Sequence, residues 1–284
     1  CSHALMKDVP RFGTAEEMLG QPADICIVST RPGHIAAAVI QATQAGLDII
    51  SEKPIGITLE ETAAVESAVE ASGVRLMAIF SMRADPVFQT ARRLYSEGAI
   101  GKAVLVNARK SYKYGDETAR PEWFGKRSEY GGTFPWIGIH ALDMIRFTTG
   151  LGVRQVAALQ RNQAHLQRPD CEDTCCAIAE LDGGVQATAS IDYFRPASAG
   201  THGDDWIRIV GTEGVIEARA NEGTCTLLKN GTTPEAIPLD EPESLFIPFL
   251  EGREGLTNAT DAFELTQATL AARQAADEKT WIEI

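Results

Sequence analysis

The sequence predicts an α/β domain with a parallel sheet, followed by an α+β domain with a large, mainly antiparallel sheet. Residues 24–98 alternate short apolar strand patterns with helical patterns, as parallel sheets with crossover helices do. After Gly101, one helical segment is followed by six strand patterns in series, which is typical of an antiparallel sheet. We therefore expect two domains, of residues 1–102 and 103–284.

The strands of the first domain are expected at residues 24–29, 47–50 and 74–80. They are short and rich in apolar, β-branched residues, as expected of strands that are covered on both faces. Helical patterns follow at 35–45, 58–72 and 86–98, with residues 30–34 as a turn. Thr58 and Glu61 have capping-box spacing, and Gly46 and Gly73 stand where helices end. Open α/β sheets bind ligands at the carboxyl ends of such strands.

The second domain begins with a long strand at 103–111 and a helix within 130–150. Gly183 and Gly184 predict a hairpin turn between two later strands. We expect one face of this sheet to lack helices. The later elements are expected as strands at 153–161, 174–181, 185–193, 206–210, 215–218 and 224–228, a helix at 258–276 and a strand at 280–284.

The composition excludes several classes of protein. The net charge of −13 argues against nucleic-acid binding, which depends mainly on Lys and Arg. No apolar run approaches the roughly 18–20 residues of a membrane helix, and no signal-peptide pattern is present. The six cysteines form no paired CxxC units, and Cys175 and Cys176 point to opposite faces of a strand. We expect reduced thiols, a cytoplasmic location and no membrane contact.

The segment from Tyr130 to Gly150 is apolar on nearly every side of its helix, so we expect it to be buried. It nevertheless contains His140 and Asp143, one turn apart, and Trp136 four residues before His140. A buried polar pair either finds partners in the core or lines a site, and these residues alone leave both possibilities open. His140, Asp143 and His202 are imaginable metal ligands, but no spacing requires a metal, and we expect none.

Two stretches, Ser51-Glu52-Lys53-Pro54 and Gly131–Asp143, resemble motifs of the Gfo/Idh/MocA family. The resemblance covers essentially the whole chain. It implies a Rossmann-like first domain, NAD or NADP as cofactor and a sugar or polyol as substrate. It also implies a homodimer or homotetramer that forms through the C-terminal sheet. Further matches occur in family order at residues 28–34, 73–78, 83–86, 97–101, 181–184 and 208–214.

The resemblance also implies roles for single residues. Lys53 hydrogen-bonds the reacting hydroxyl, and His140 is the general acid and base. Arg83 approaches the cofactor or substrate unless it is a surface residue. Asp143 orients the imidazole or caps a backbone group. The implied cofactor contacts are Ser29, Thr30, Arg31, Pro32, His34, Glu52, Lys53 and Arg83. His34 could instead cap the following helix.

Aromatic and polar residues supply the candidate substrate contacts. Trp136 could stack on the apolar face of a sugar or fill the core. Lys110, Tyr112 and Tyr114 are spaced by two and therefore share a face of their strand. The candidate substrate contacts are Tyr112, Trp123, Trp136, His140, Asp143 and His202.

Two departures from the family pattern stand out. The chain contains no G-x-G-x-x-G turn, so the Rossmann-like domain is incomplete. We expect the missing strand–helix unit, roughly 30–50 residues, to precede this sequence rather than to have been lost. In addition, Trp136 stands where the family motif D-x-G-x-H-x-x-D begins with an acid. Proton transfer is therefore expected to depend on Lys53 and His140.

The predicted function is an NAD(P)-dependent oxidoreductase of a sugar, polyol or related hydroxy compound. Two alternatives stay open. The replacement of an acid by Trp136 would suit a sugar lyase, isomerase or hydrolase on the same scaffold, which uses bound NAD or no nucleotide. A non-catalytic sugar-binding module is the other alternative.

Overall fold

The computed structural model describes residues 9–115 and 120–284. After the short helix α1 (Ala15–Leu19), three strands form a parallel sheet in the order β1-β2-β3. They are β1 (Ile25–Val28), β2 (Asp48–Ser51) and β3 (Leu76–Ala78), linked by α2 (Pro32–Gln44) and α3 (Leu59–Ser72). The predicted parallel sheet with crossover helices is confirmed.

The two crossover helices begin somewhat differently from what the sequence predicted. Residues 32–34 are not a turn but the first turn of α2, with Pro32 at a position where a helix needs no backbone donor. At the start of α3, the Thr58 hydroxyl accepts a hydrogen bond from the Glu61 backbone at 3.1 Å. The Glu61 carboxylate in turn accepts one from the Ile57 backbone at 2.8 Å, one residue earlier than in a standard capping box.

The second sheet has nine strands in the order β11-β10-β9-β8-β4-β7-β6-β5-β12. Among the described strands, β4 pairs with β7 in parallel and every other pair is antiparallel, so the predicted, mainly antiparallel sheet is confirmed. Its strands are β4 (Ala103–Tyr112), β5 (Val153–Arg161), β6 (Thr174–Leu181), β7 (Gln186–Asp192), β8 (Gly203–Gly211), β9 (Gly214–Arg219), β10 (Thr224–Lys229), β11 (Glu235–Ile237) and β12 (Ile282–Glu283).

Helices cover one face of this sheet. They include α4 (Pro86–Ser96), α6 (Ile139–Thr149) and α8 (Ala259–Glu278), with α7 (Ile247–Leu250) between the last two. The opposite face exposes apolar side chains, including Leu159 and Ile178 at 63% and 51% exposure. Helix α8 packs against β5 and also against α3 and β3, so the last helix contacts both sheets. The domain boundary after residue 102 stays a prediction.

The sequence predicted a helix within the segment 130–150, but the structure divides this segment into three helical pieces. It begins with the end of α5 (Arg127–Tyr130), continues as a π-helical turn over Phe134–Gly138, and becomes α6 only at Ile139. The Thr133 backbone and the Tyr130 hydroxyl both donate to the buried Glu172 carboxylate at 3.0 Å. Because the turn is π-helical, the 3.6-residue spacing that placed Trp136 and His140 on one face does not apply.

Candidate active site

Lys53 follows the carboxyl end of β2 and is 7% exposed. Its Nζ donates a hydrogen bond to the backbone oxygen of Trp136 at 2.6 Å and lies 4.4 Å from the centre of the Trp136 ring. Burial lowers the pKa of Lys53 from 10.5 to about 8; the charge of Glu52 acts in the opposite direction, and that of Lys110 acts in the same direction. An appreciable fraction of Lys53 is therefore neutral near pH 8.

His140 lies in the first turn of α6 and is 5% exposed. Burial lowers its pKa well below 6.5, and the positive charges of Lys53 and Lys110 act in the same direction. Its Nδ1 atom is buried without a hydrogen-bond partner in the described part of the chain. The imidazole is therefore neutral at pH 7, and its role as general acid and base stays a prediction.

Asp143 does not orient His140, contrary to one of the sequence-based expectations, and it does not cap a backbone group. Its carboxylate accepts a hydrogen bond from Arg83 Nε at 2.7 Å and pairs with Arg83 Nη2 at 2.6 Å. Burial raises the pKa of Asp143 to about 6, although the charge of Arg83 opposes this shift. Arg83 also pairs with Asp261 of α8 at 2.5 Å.

This buried ion cluster of Arg83, Asp143 and Asp261 joins the loop after β3 to two helices. Arg83 is 3% exposed and Asp143 is fully buried, so the ion pairs of the cluster are largely shielded from solvent. The ion pair gives both residues a structural role. The cofactor contact of Arg83 and the substrate contact of Asp143 stay predictions. The surface alternative for Arg83 is wrong.

Trp123 and Trp136 form an aromatic wall beside Lys53. Their ring centres are 5.7 Å apart and their planes are nearly perpendicular, at 77°. Both side chains are half-buried, and Phe124 contacts both rings. Neither ring is sealed in the core, so either could stack on an apolar sugar face.

Tyr112 is the last residue of β4, and His202 directly precedes β8. Their ring centres are 4.8 Å apart. Lys110, two residues before Tyr112, places its ammonium 4.5 Å from the centre of the Tyr112 ring and 2.9 Å from Asp205. Burial raises the pKa of Asp205, whereas the charge of Lys110 lowers it. The two-residue spacing to Tyr112 had already indicated Lys110 as a candidate on the substrate side, whereas Asp205 reaches it through the pairing of β4 with β8.

The predicted cofactor residues lie at the adjacent carboxyl ends of β1 and β2, where Val28 pairs with Ser51. Arg31 binds Glu129 of α5 at 2.7 Å. His34 does not cap α2, whose N-cap makes no side-chain hydrogen bond. Ser29, Thr30, Arg31 and His34 are exposed, Glu52 is half-buried and Pro32 is buried.

Several other expectations concern metals, cysteines and membranes. Within residues 9–115 and 120–284, no group of three or more His, Cys, Asp or Glu is arranged to hold a metal ion. The described cysteines are free, with Cys175 buried and Cys176 exposed as alternation in β6 requires; Cys1 lies outside the described residues. No helix in the described ranges is long and apolar enough to cross a membrane.

Comparisons with known proteins agree with this architecture. Residues 4–80 match the model of the oxidoreductase family with an NAD-binding Rossmann fold, and residues 88–217 match the GFO/IDH/MocA C-terminal domain. A solved structure from Thermotoga maritima, described as an oxidoreductase, is 33% identical with a TM-score of 0.90. The match covers 95% of this chain and 83% of that one.

Curated relatives point to the same family. The scyllo-inositol 2-dehydrogenase (NAD(+)) of Bacillus subtilis is 30% identical over 70% of this chain, and the uncharacterized oxidoreductase YrbE of the same species is 27% identical over 81%. This chain spans 56% and 65% of their respective lengths. The ordered matches of both family models and the similarity to the Thermotoga maritima structure show that the chain belongs to the Gfo/Idh/MocA family.

Proposed function

We propose that this protein is an NAD(P)-dependent oxidoreductase that acts on a CH–OH group of a sugar, polyol or related hydroxy compound. The observation that carries the proposal is that buried Lys53, after a strand of the parallel sheet, hydrogen-bonds the Trp136 backbone oxygen at 2.6 Å, four residues before buried His140. The dehydrogenase names of the relatives support the same reaction class.

The residues present fit the nicotinamide half of such a cofactor. Exposed Ser29 and Thr30 end β1 beside Glu52 and Lys53 at the end of β2, the edge at which open α/β sheets bind ligands. The described residues contain no glycine-rich turn for a pyrophosphate, so the fit concerns the nicotinamide half only. A bound nicotinamide would supply hydride transfer to or from the carbinol carbon.

Lys53 and His140 would handle the proton that accompanies the hydride. With a pKa of about 8, Lys53 can accept a proton from the hydroxyl or return one to a carbonyl near neutral pH. Neutral His140 can accept a hydrogen bond or a proton, and the Lys53 ammonium, once formed, would favour a substrate oxygen that becomes negative. Trp136 supplies no acid, and its backbone oxygen holds Lys53 in place.

The substrate we propose has an apolar ring face as well as hydroxyl groups. Trp123 and Trp136 offer half-buried ring surface beside Lys53, and aromatic side chains stack well on such amphipathic rings. Tyr112 and His202 would contribute polar contacts from the second sheet.

The experiment is a titration of the purified protein with NAD and NADP, followed by a panel of sugars and polyols monitored by nicotinamide absorbance. Lys53→Met and His140→Asn should each lower kcat roughly 10²- to 10⁴-fold. Lys229→Met, at an exposed position, is the matched control. Near-normal turnover in both site variants would refute the mechanism.

The same panel separates the alternatives. Conversion of a sugar without net change of nicotinamide absorbance would indicate a lyase, isomerase or hydrolase, which the replacement of an acid by Trp136 motivates. Sugar binding without nucleotide binding or turnover would indicate a binding module. Either outcome would overturn the oxidoreductase proposal.

We further propose that a second copy of the chain covers the open face of the large sheet, giving a homodimer or homotetramer. A shallow hollow of about 730 Å³ lies on this face. Exposed Leu159, Ile178 and Trp281 surround it, and such contiguous apolar surface is typical of subunit contacts. Light scattering tests this proposal, and a monomeric mass would contradict it.

A cytoplasmic location and the absence of nucleic-acid partners complete the proposal. The described cysteines are free, in keeping with a reducing compartment. The net charge of −13 opposes binding to polyanions. Fractionation of cells and a salt-dependent DNA-binding assay would test these two points.

A further inference from the structure

Lys110 is a buried lysine to which neither the family motif nor the proposed proton transfer assigns a role. Its side chain is 1% exposed on the helix-covered face of β4. Asp205, its direct neighbour across the β4–β8 pair, holds the ammonium at 2.9 Å. Its Nζ also contacts Met82 Sδ at 3.0 Å, and the next residue, Arg83, pairs with Asp143 on α6, the helix of His140. Lys110 therefore belongs to the same charged site, approached from the second sheet.

The hydrogen bonds of this ammonium are incomplete. An ammonium has three donors and needs oxygen acceptors when it is removed from water. Among the described residues, its polar contacts are the Asp205 carboxylate and the Met82 thioether, whose Sδ lies at 3.0 Å. A thioether is a weak acceptor. One donor therefore points to sulfur, and the remaining described partner is the face of the Tyr112 ring, 4.5 Å from the ammonium, rather than an oxygen.

Met82 is well suited to give way to a better acceptor. It lies in the short 3₁₀ helix after β3 and is 8% exposed. A methionine side chain is unbranched and flexible, so it can change rotamer at low cost. An oxygen that replaced the sulfur would give the ammonium a stronger partner without disturbing its ion pair with Asp205.

We propose that Lys110 is a substrate-binding residue that donates a hydrogen bond to a second oxygen of the hydroxy compound, one that does not react. This inference rests on the proposed function, because it places that substrate between Lys53 and Lys110. The ligand class is a compound with at least two oxygen functions: the reacting carbinol, bound by Lys53 and His140, and a hydroxyl or carbonyl oxygen, bound by Lys110 in place of Met82 Sδ.

The test measures whether Lys110 recognises one particular oxygen. A polyol turned over by the wild-type protein is compared with its monodeoxy analogues, each of which lacks one hydroxyl. In the wild type, one analogue should lose roughly 10- to 100-fold in kcat/KM because it leaves the ammonium unpaired. In Lys110→Met, which is unbranched, uncharged and one atom shorter, the parent polyol should show a similar loss. The penalty for that analogue should disappear.

A second variant guards against misfolding. Lys110→Met leaves Asp205 buried without its partner, whereas Lys110→Met/Asp205→Leu replaces the whole ion pair by apolar groups, a change that folded proteins often tolerate. The double variant should show the same loss of discrimination. Equal penalties for every deoxy analogue in the wild type and in whichever variant folds would overturn the inference.

The outcomes also separate this inference from the proposed function. If the wild type turns over no sugar or polyol with either nucleotide, the proposed function fails before Lys110 is tested. If the wild type is active and the Lys110 variants discriminate among deoxy analogues as it does, the inference on Lys110 fails alone. Lys229→Met, at an exposed position, again serves as the control.

Discussion

Replacing Lys53 by methionine is expected to stabilise the folded protein while it removes activity. Lys53 is buried, and its pKa falls from 10.5 to about 8, chiefly through burial. A lowered lysine pKa means that the folded state disfavours the charged ammonium relative to the unfolded state. Methionine is also unbranched, one atom shorter than lysine, and brings no charge into the interior.

The size of the effect follows from the shift. Each pKa unit corresponds to 1.36 kcal/mol, so the ammonium form destabilises the folded state by roughly 3 kcal/mol below pH 8. The variant also loses the hydrogen bond from Nζ to the Trp136 backbone oxygen, which offsets about 1 kcal/mol. Lys53→Met should therefore raise the free energy of unfolding by about 2 kcal/mol at pH 7.

The difference should depend on pH in a defined direction. Because the pKa of Lys53 is lower in the folded state, the unfolded state binds more protons between about pH 8 and 10.5. The wild type therefore gains stability from this group as the pH rises through that window, and the unfavourable contribution is fully present below pH 8. The advantage of the methionine variant should shrink between pH 7 and pH 10.

Urea unfolding followed by tryptophan fluorescence at pH 7 and pH 10 measures this difference. Lys229→Met is the control, because Lys229 is exposed and its removal should change the free energy of unfolding by less than about 0.5 kcal/mol. The reasoning is refuted if Lys53→Met is less stable than the wild type at pH 7. It is also refuted if the difference is the same at both pH values.

Three further predictions concern other parts of the molecule. In the direction of oxidation, kcat/KM should rise with pH until Lys53 is neutral, near pH 8; a flat profile between pH 6 and pH 10 would contradict this. Asp143→Asn should lower the free energy of unfolding by roughly 2–3 kcal/mol in urea denaturation, since Arg83 loses one of two carboxylates; an unchanged midpoint would count against the ion cluster. Ile178→Asp should reduce the mass measured by light scattering, because it places a charge on the open sheet face; an unaltered mass would exclude that face as the subunit contact.

Local patterns were sufficient for most of the framework. Strands 153–161 and 174–181 were predicted with the bounds that the structure has, because alternation and turn residues act within a few positions. The capping residues of α3 and the glycine turn after β6 are likewise local features. Elements without a strong pattern, such as α1 and β11, were missed.

The candidate site was predictable only in part. Lys53 and His140 could be named because short motifs surround them. The partner of Asp143 could not be named, since Arg83 lies 60 positions away along the chain and reaches it only through packing of the loop after β3 against α6. Spacing within one helix suggested His140 as the partner, but a buried carboxylate pairs with the nearest cation that packing provides.

The sequence by itself determined the succession of most strands and helices along the chain, the motifs around Lys53 and His140, and the replacement of an acid by Trp136. Each of these depends on residues that are close in the chain. Tertiary structure decided the π-helical turn, the cluster of Arg83, Asp143 and Asp261, and the place of Lys110 beside Asp205. These features depend on which distant groups are buried together, and burial is a property of the packed molecule.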